Sequence, residues 1–175
     1  MTLTERQPRA WADFGVTPHG WVTSGVFQVG TANYQCEFRG EPELRRFMDF
    51  LLASPSKPAT SRLYLHQSVT PVRPEHHLSN LRFQFDAEHD VAAAVLLLID
   101  RNHDNELLTW MTRGDAGQPD VALAHDSWNA DETQFPPESH ISLSQLRELV
   151  TQWACGDLVP PTAVQWSPVS DITWF

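Results

Sequence analysis

Alternating hydrophobic and polar positions first become regular between residues 26 and 38. Val26–Val29 and Tyr34–Phe38 alternate on either side of the turn residues Gly30–Asn33, which predicts a β-hairpin. From Pro42 to about Ala53, apolar residues recur at intervals of three and four, which predicts an amphipathic helix. Its apolar stripe consists of Leu44, Phe47, Met48 and Leu51.

The middle of the chain predicts successive strands. Residues 62–66 form a short apolar run, and residues 81–86 alternate with Leu, Phe and Phe on one face. Residues 91–99 form a continuous apolar run, typical of a central strand covered on both faces, although three alanines leave a helix open. Residues 106–112 are expected to pair with this run across a turn, and residues 121–124 to form the next short strand.

A second helix is specified by its ends as well as by its stripe. Ser142 and Gln145 have the spacing of a capping box, and Ile141 precedes them as a hydrophobic staple. Gly156 supplies a left-handed stop, and Thr162–Trp166 predicts a strand after it. The apolar stripe consists of Leu143, Leu146, Leu149, Val150 and Trp153.

Strands in meander order with two well-separated helices predict an α+β fold, a mainly antiparallel β-sheet with about two helices packed on one face. Residues 1–175 are expected to form a single domain, with residues 1–20 as an irregular N-terminal arm. The longest apolar run, Val91–Ile99, is far shorter than the roughly 20 residues of a membrane helix. Without a signal-peptide core, a cytoplasmic location is expected, with Cys36 and Cys155 as reduced thiols.

Charge is concentrated in one segment of the chain. Between Asp86 and Glu138 there are twelve acidic residues and two arginines, a net charge of −10, while the rest holds ten acids and ten bases. The entire formal charge of −10 therefore lies in this segment. Such a field repels phosphate backbones and attracts basic partners, which disfavours direct nucleic-acid binding. A solubilising acidic surface explains the same composition.

Motifs for catalysis or metal binding are weak. The stretch from Asp100 begins like a calcium loop, but Asn105 stands where glycine is needed and Met111 where the closing glutamate is needed. An Asp/Asn-rich turn explains it better. The histidines show no zinc spacing, and there is no nucleophile elbow or phosphate loop. We therefore expect no metal, no cofactor and no enzymatic activity; a site assembled from separated histidines and carboxylates remains the alternative.

Trp128 differs from the other tryptophans because its neighbours are polar and acidic, in the stretch from Asp126 to Glu132. An aromatic anchor among carboxylates suits a basic protein partner. A tryptophan that folds down to cover the sheet explains the residue equally well.

The last third of the chain resembles the C-terminal signature of an Imm-type immunity family of bacterial polymorphic toxin systems. The resemblance covers about residues 26–166. In that family a short FP segment is followed by a helix, a glycine and a P-T-x-V-x-W strand. The matching positions are Phe135, Pro136, Ile141, Leu146, Gly156, Pro161, Thr162, Val164 and Trp166.

This resemblance implies a protein that binds and neutralises a cognate toxin encoded beside it. Such toxins are often nucleic-acid-active enzymes, deaminases and nucleases among them, whose basic clefts would suit the acidic segment. The residues expected to contact the toxin are Asp126, Trp128, Asp131, Glu132, Asp104 and Glu106. An effector chaperone or adaptor, which holds its partner without inhibiting it, is a further alternative.

Overall fold

A computed structural model describes residues 21–29, 32–38, 41–53, 59–67, 77–100, 104, 106–114, 121–125, 133–155 and 160–170. The strands are β1 (Trp21–Val29), β2 (Ala32–Phe38), β3 (Ser61–Gln67), β4 (His77–Asp86), β5 (Val91–Asp100), β6 (Glu106–Arg113) and β7 (Gln165–Pro168). The helices are α1 (Glu41–Leu52) and α2 (Leu143–Cys155), with a 3-10 turn at Pro137–Ser139. The strands form one antiparallel sheet in the order β2-β1-β3-β4-β5-β6-β7. The α+β prediction is therefore confirmed.

The predicted hairpin and first helix are present. The hairpin strands are longer than the pattern indicated, since β1 begins at Trp21 and β2 already begins at Ala32. Helix α1 ends at Leu52, and its predicted stripe faces the core. Leu44, Met48 and Leu51 are fully buried, while Phe47 is half-buried. The predicted residues 1–20 arm lies outside the described residues.

Both helices pack on one face of the sheet, which we call the helix face. Alternate residues of β4 and β5 on this face, including Phe83, Phe85 and Leu96, are fully buried against the helices. Trp153 of α2 donates its indole N–H to Ser79 Oγ at 2.8 Å, and Ser79 Oγ donates to the carbonyl of Leu97 at 2.9 Å. The helix is thereby hydrogen-bonded to β4, and the same hydroxyl links β4 to β5.

The opposite face of the sheet has its own apolar cluster. Val91, Ala93, Val95 and Leu97 of β5 are fully buried there. Every residue from Val91 to Leu98 is at most 2 % exposed, so the prediction of a strand covered on both faces is confirmed. Leu81, Phe83 and Phe85 share the helix face as predicted. The polar residues between them are buried too, because this opposite face is covered.

Two predicted strands require correction. Residues 121–124 form no strand of the sheet and take part in one isolated bridge, Ala124 to Gln134. Leu123 instead packs on top of the sheet, so its apolar character reflects contact with the face. The last strand begins at Gln165, not at Thr162. The backbone N–H of Ala163 donates to Gln152 Oε1 at 3.0 Å, which holds the preceding residues in a turn against α2.

The predicted start of α2 is confirmed in detail. The N–H of Gln145 donates to Ser142 Oγ at 3.2 Å, and the N–H of Ser142 donates to Gln145 Oε1 at 2.9 Å. Ile141 and Leu146 are both buried in the core, as a hydrophobic staple requires. The helix ends at Cys155, and Gly156 lies outside the described residues.

Candidate functional site

A small lobe, residues 121–125 and 133–135, lies on the face opposite the helices. Its two segments are hydrogen-bonded to each other: Phe135 N–H to the carbonyl of Leu123 at 2.7 Å, and His125 N–H to the carbonyl of Thr133 at 2.8 Å. This pairing fixes the two ends of the intervening stretch. That stretch contains Asp126, Trp128, Asp131 and Glu132, which lie outside the described residues.

The lobe is attached to the sheet by apolar and polar contacts. Leu123 and Phe135 are buried against the apolar cluster of β5, and the ring of His125 packs edge-on against Phe135 at 4.4 Å. The N–H of Ala124 donates to Gln84 Oε1, and Thr60 Oγ1 donates to the carbonyl of Ala124 at 3.0 Å. The buried side chains of Gln84 in β4 and of Thr60, which directly precedes β3, thus satisfy the backbone groups of Ala124.

At the base of the lobe the chain crosses the end of β6. Gly114 N–H donates to the carbonyl of Glu138 at 2.8 Å, and Thr112 Oγ1 donates to the carbonyl of Ser139 at 2.7 Å. The same hydroxyl accepts the N–H of Ala94 at 3.0 Å. Thr112 therefore joins β5, β6 and the returning chain through one oxygen atom.

Beyond this crossing, the returning chain replaces β6 beside the first residues of β5. Ile141 and Ala92 exchange two backbone hydrogen bonds, each of 2.8 Å. A pocket of about 180 Å³ opens next to the crossing. Its lining residues are Met111, Thr112, Arg113, Pro136, Glu138, Ser139, Ser167 and Val169. The lining surface is mostly apolar, and Arg113 and Glu138 are the charged residues in it.

The acidic segment separates into two groups at opposite ends of the sheet. Asp86, Glu88 and Asp90 lie in or beside the turn between β4 and β5, at the end that carries the lobe base. Asp104 and Glu106 lie at the turn between β5 and β6, at the other end. Asp86 pairs with Val91 and Glu106 pairs with Asp100, so nine residue steps along β5 separate these levels, which corresponds to roughly 30 Å. Asp104 and Glu106 are therefore not brought to the base of the lobe.

The β4–β5 turn is held by its own side chains. Asp86 Oδ1 accepts the N–H of Glu88 at 3.0 Å, the N–H of His89 at 3.2 Å and lies 3.1 Å from His89 Nδ1. Burial raises the pKa of Asp86, but the hydrogen bonds from His89 and Glu88 outweigh it, so that the pKa lies below its ordinary value. The carboxylate is therefore held in its charged form.

Sequence reasoning did not include Glu88, Asp90 and Glu138 among the candidate contact residues. Glu88 and Asp90 are exposed in the β4–β5 turn, and Glu138 is exposed at the lobe base. All three belong to the acidic segment, which was visible in the sequence. Their position at the end of the sheet that carries the lobe base follows from the strand order, which the sequence pattern does not give. Asp104 has a φ of 52°, the left-handed conformation that an Asp/Asn-rich turn accommodates.

The described residues of the C-terminal motif make contacts within the fold. Phe135 belongs to the apolar cluster under the lobe, and Pro136 accepts a hydrogen bond from the hydroxyl of Ser139 at 2.6 Å. Pro161 is buried, and its carbonyl accepts the indole N–H of Trp166 at 2.8 Å. Val164 lies in the helix-face core. The motif therefore fixes the chain around α2 and the lobe base.

No helix in the described ranges is long and apolar enough to cross a membrane. Among the same residues, no three histidine, cysteine or acidic side chains are grouped so as to bind a metal ion.

Comparison with known proteins identifies the family of the chain. A search of curated proteins gives no significant match. The family model for immunity protein Imm1 matches residues 32–168. The match includes all the strands from β2 to β7, both helices and the lobe. The chain therefore belongs to the Imm1 family of immunity proteins.

Proposed function

We propose that this protein binds a cognate toxin in the cytoplasm of the producing cell and neutralises it without catalysing a reaction. The observation that carries the proposal is the family match over residues 32–168, which places the chain among immunity proteins. The toxin is a basic, nucleic-acid-active enzyme such as a deaminase or a nuclease. The acidic surface at the lobe end of the sheet covers its active-site cleft, where carboxylates occupy the positions of nucleic-acid phosphates.

The distribution of charge along the chain supports a basic partner. The net charge of −10 lies between Asp86 and Glu138, and the lobe arises from the same segment. An acidic surface accelerates the encounter with a basic partner, and the effect weakens with added salt. Trp128, in the same acidic stretch of the sequence, provides an apolar anchor for a long-lived complex.

The primary experiment is co-purification of the tagged chain from its native cells at low salt. A single stoichiometric basic partner with a toxin domain supports the proposal, and inhibition of that partner by the purified chain establishes neutralisation. A partner that is held without inhibition identifies an effector chaperone or adaptor instead. Absence of any partner while the neighbouring gene is expressed contradicts the proposal.

The binding surface is tested by charge reversal in matched sets. Asp126→Lys, Asp131→Lys and Glu132→Lys together should slow association strongly and abolish protection. The control set Glu41→Lys, Glu43→Lys and Glu148→Lys makes the same charge change on the two helices. Equal loss in both sets would show that only overall charge matters, and unchanged protection in the first set would exclude Asp126, Asp131 and Glu132 as toxin contacts.

A second pair of reversals distinguishes the two ends of the sheet. Asp104→Lys with Glu106→Lys alters the far end, and Glu88→Lys with Asp90→Lys alters the lobe end. The two groups are roughly 30 Å apart, beyond the Debye length of about 8 Å at physiological salt. The set that lowers the association rate constant more therefore identifies the end that faces the toxin.

A further inference from the structure

The pocket beside the crossing, which we call the crossing pocket, lies on the same face of the sheet as the lobe. Met111 lines it, belongs to the apolar cluster of that face and pairs in register with Ser167 of β7. Pro136 and Glu138 line it from the returning chain, and Val169 lines it beyond the end of β7. The pocket is therefore a recess between the lobe base and the last strand.

The volume of the crossing pocket corresponds to one aromatic ring. The space measures about 180 Å³ and opens at the surface of the protein. A cavity of roughly 150 Å³ lined by apolar side chains is known to bind benzene. The crossing pocket can therefore take up one large side chain from outside, whereas a folded peptide segment would not fit.

Two buried hydroxyl groups of the lining are already bonded within the protein. Thr112 Oγ1 donates to the carbonyl of Ser139 at 2.7 Å and accepts the N–H of Ala94 at 3.0 Å. The hydroxyl of Ser139 donates to the carbonyl of Pro136 at 2.6 Å. A polar occupant or a bound water needs two or more polar partners. Because these hydroxyls are engaged, the pocket favours an apolar occupant.

The remaining lining residues favour an aromatic ring over a cation. The thioether of Met111 makes favourable contacts with aromatic rings, and the guanidinium of the exposed Arg113 can stack on the face of a ring. A lysine or arginine of a partner would be attracted by Glu138 but repelled by Arg113, which leaves little electrostatic gain. An aromatic side chain profits from the sulfur and from the guanidinium.

Acidic residues lie at the same end of the sheet as the crossing pocket. Glu138 is in its lining, and Glu88 and Asp90 are exposed in the β4–β5 turn at that end. An apolar recess with charged residues around it is typical of a protein interface in which one buried aromatic residue of the partner contributes much of the binding energy. The acidic surroundings suit a basic partner.

We propose that the crossing pocket receives one aromatic side chain of the toxin. The inference rests on the proposed function, because it assigns a contact within the same complex. It adds a receptor site on the immunity protein and the chemical class of the toxin residue that occupies it. The acidic residues at this end then contact basic groups of the toxin around that ring.

Methionine methyl NMR of the full chain tests the pocket without the toxin. The chain has three methionines, of which Met111 lines the pocket and Met48 is fully buried in the core of the helix face. p-Cresol, the side-chain analogue of tyrosine, should shift the Met111 signal saturably and leave that of Met48 unchanged. n-Propylguanidinium, the analogue of arginine, should bind about tenfold more weakly. No saturable shift with p-cresol, or equal binding of the two probes, would overturn the proposal.

A matched pair of variants extends the test to the complex. Ser167→Phe places a ring of the chain itself at the pocket, whereas Gln165→Phe adds the same ring to the same face of β7 outside the lining. Ser167→Phe should abolish p-cresol binding and raise the Kd for the toxin by about 30-fold or more. Gln165→Phe should leave both nearly unchanged. Equal weakening by the two variants, or unchanged toxin affinity of folded Ser167→Phe, would overturn the proposal.

Displacement keeps the test valid if Ser167→Phe does not fold. Added toxin should release p-cresol from the wild-type chain, as followed by the NMR signals of p-cresol. Binding of p-cresol and toxin at the same time would overturn the pocket proposal and leave the proposed function intact. If no toxin binds the wild type, the proposed function fails and this inference fails with it.

Discussion

Gly114 lies directly beneath the backbone carbonyl of His140. A Cβ at position 114 would overlap the carbonyl oxygen and lie 2.6 Å from the carbonyl carbon. The N–H of Gly114 also donates to the carbonyl of Glu138 at 2.8 Å. The chain that returns from the lobe therefore crosses β6 at the one residue type that lets two backbones approach so closely.

Gly114→Ala should lower the free energy of unfolding by about 2–4 kcal/mol, because a backbone segment must move to relieve the overlap. Urea denaturation measures this change. Gly25→Ala is the matched control, since its Cβ would meet side-chain atoms of Phe27 and Leu63 at 2.6–2.7 Å. Side chains can repack, so the loss at Gly25 should be smaller. A larger loss of stability in Gly25→Ala than in Gly114→Ala would contradict the conclusion that the crossing at Gly114 is the tighter contact.

Trp153 and Ser79 should be energetically coupled. Trp153→Phe removes the N–H that donates to Ser79 Oγ, and Ser79→Ala removes the acceptor together with its bond to Leu97. Each single variant should lose about 1–3 kcal/mol, and the double-mutant cycle should give a coupling of about 1 kcal/mol. The cycle is measured by chemical denaturation. A coupling near zero would show that the indole contributes through packing alone.

The sequence predicted those elements whose signal is local. The capping pair Ser142 and Gln145 specifies the start of α2, and the unbroken apolar run from Val91 specifies β5. The strand predicted at 121–124 was wrong because an apolar residue such as Leu123 packs on a sheet face as readily as within a ladder. The start of β7 depends on the hydrogen bond from Ala163 to Gln152 of α2. A contact between two separate elements leaves no trace in the local sequence pattern.

The candidate surface was less accessible to sequence reasoning than the fold. The acidic segment was visible as composition, but its separation into two groups depends on strand order. Asp104 and Asp90 lie at opposite ends of β5, although only fourteen positions separate them. Spacing along the chain does not reveal that distance, because a strand carries its two ends apart by about 3.3 Å per residue.

Asp86 should contribute a pH-dependent part of the stability. Its pKa is lowered in the folded protein, so its contribution is fully present above the ordinary value of 3.8 and is lost as the pH falls through the lower folded-state pKa. The difference in unfolding free energy between the wild type and Asp86→Asn should therefore be largest above about pH 5 and shrink in more acidic solution. Thermal unfolding between pH 7 and the lowest pH at which the fold persists measures it.

The matched control at this turn is Glu88→Gln. It removes one carboxylate but retains the backbone N–H that donates to Asp86. Its stability difference from the wild type should not show the same decline with falling pH. A parallel decline in both variants would indicate that the general charge of the turn, and not the hydrogen bonds of Asp86, causes the effect.

Asp90 joins the β4–β5 turn to the start of α2 through a hydrogen bond. Two substitutions of Asp90 distinguish the contribution of this bond from that of its negative charge. Its Oδ1 accepts the N–H of Leu143 at 3.2 Å, and its φ of 52° is left-handed. Asp90→Asn retains the acceptor and suits this φ, so it should cost less than about 1 kcal/mol, the value of the lost charge at a helix N-terminus. Asp90→Ala loses both features and should cost about 1–2 kcal/mol more.

Asp90→Asn, which retains the hydrogen-bond acceptor, then tests whether the charge of Asp90 contributes to the proposed binding surface. If the lobe end faces a basic toxin, Asp90→Asn should lower the association rate constant at low salt while the dissociation rate constant stays nearly unchanged. Stopped-flow measurements at several salt concentrations follow both constants. Asp104→Asn, at the opposite end of the sheet, is the matched control for the loss of one negative charge. A larger effect at Asp104 would place the toxin at the far end instead.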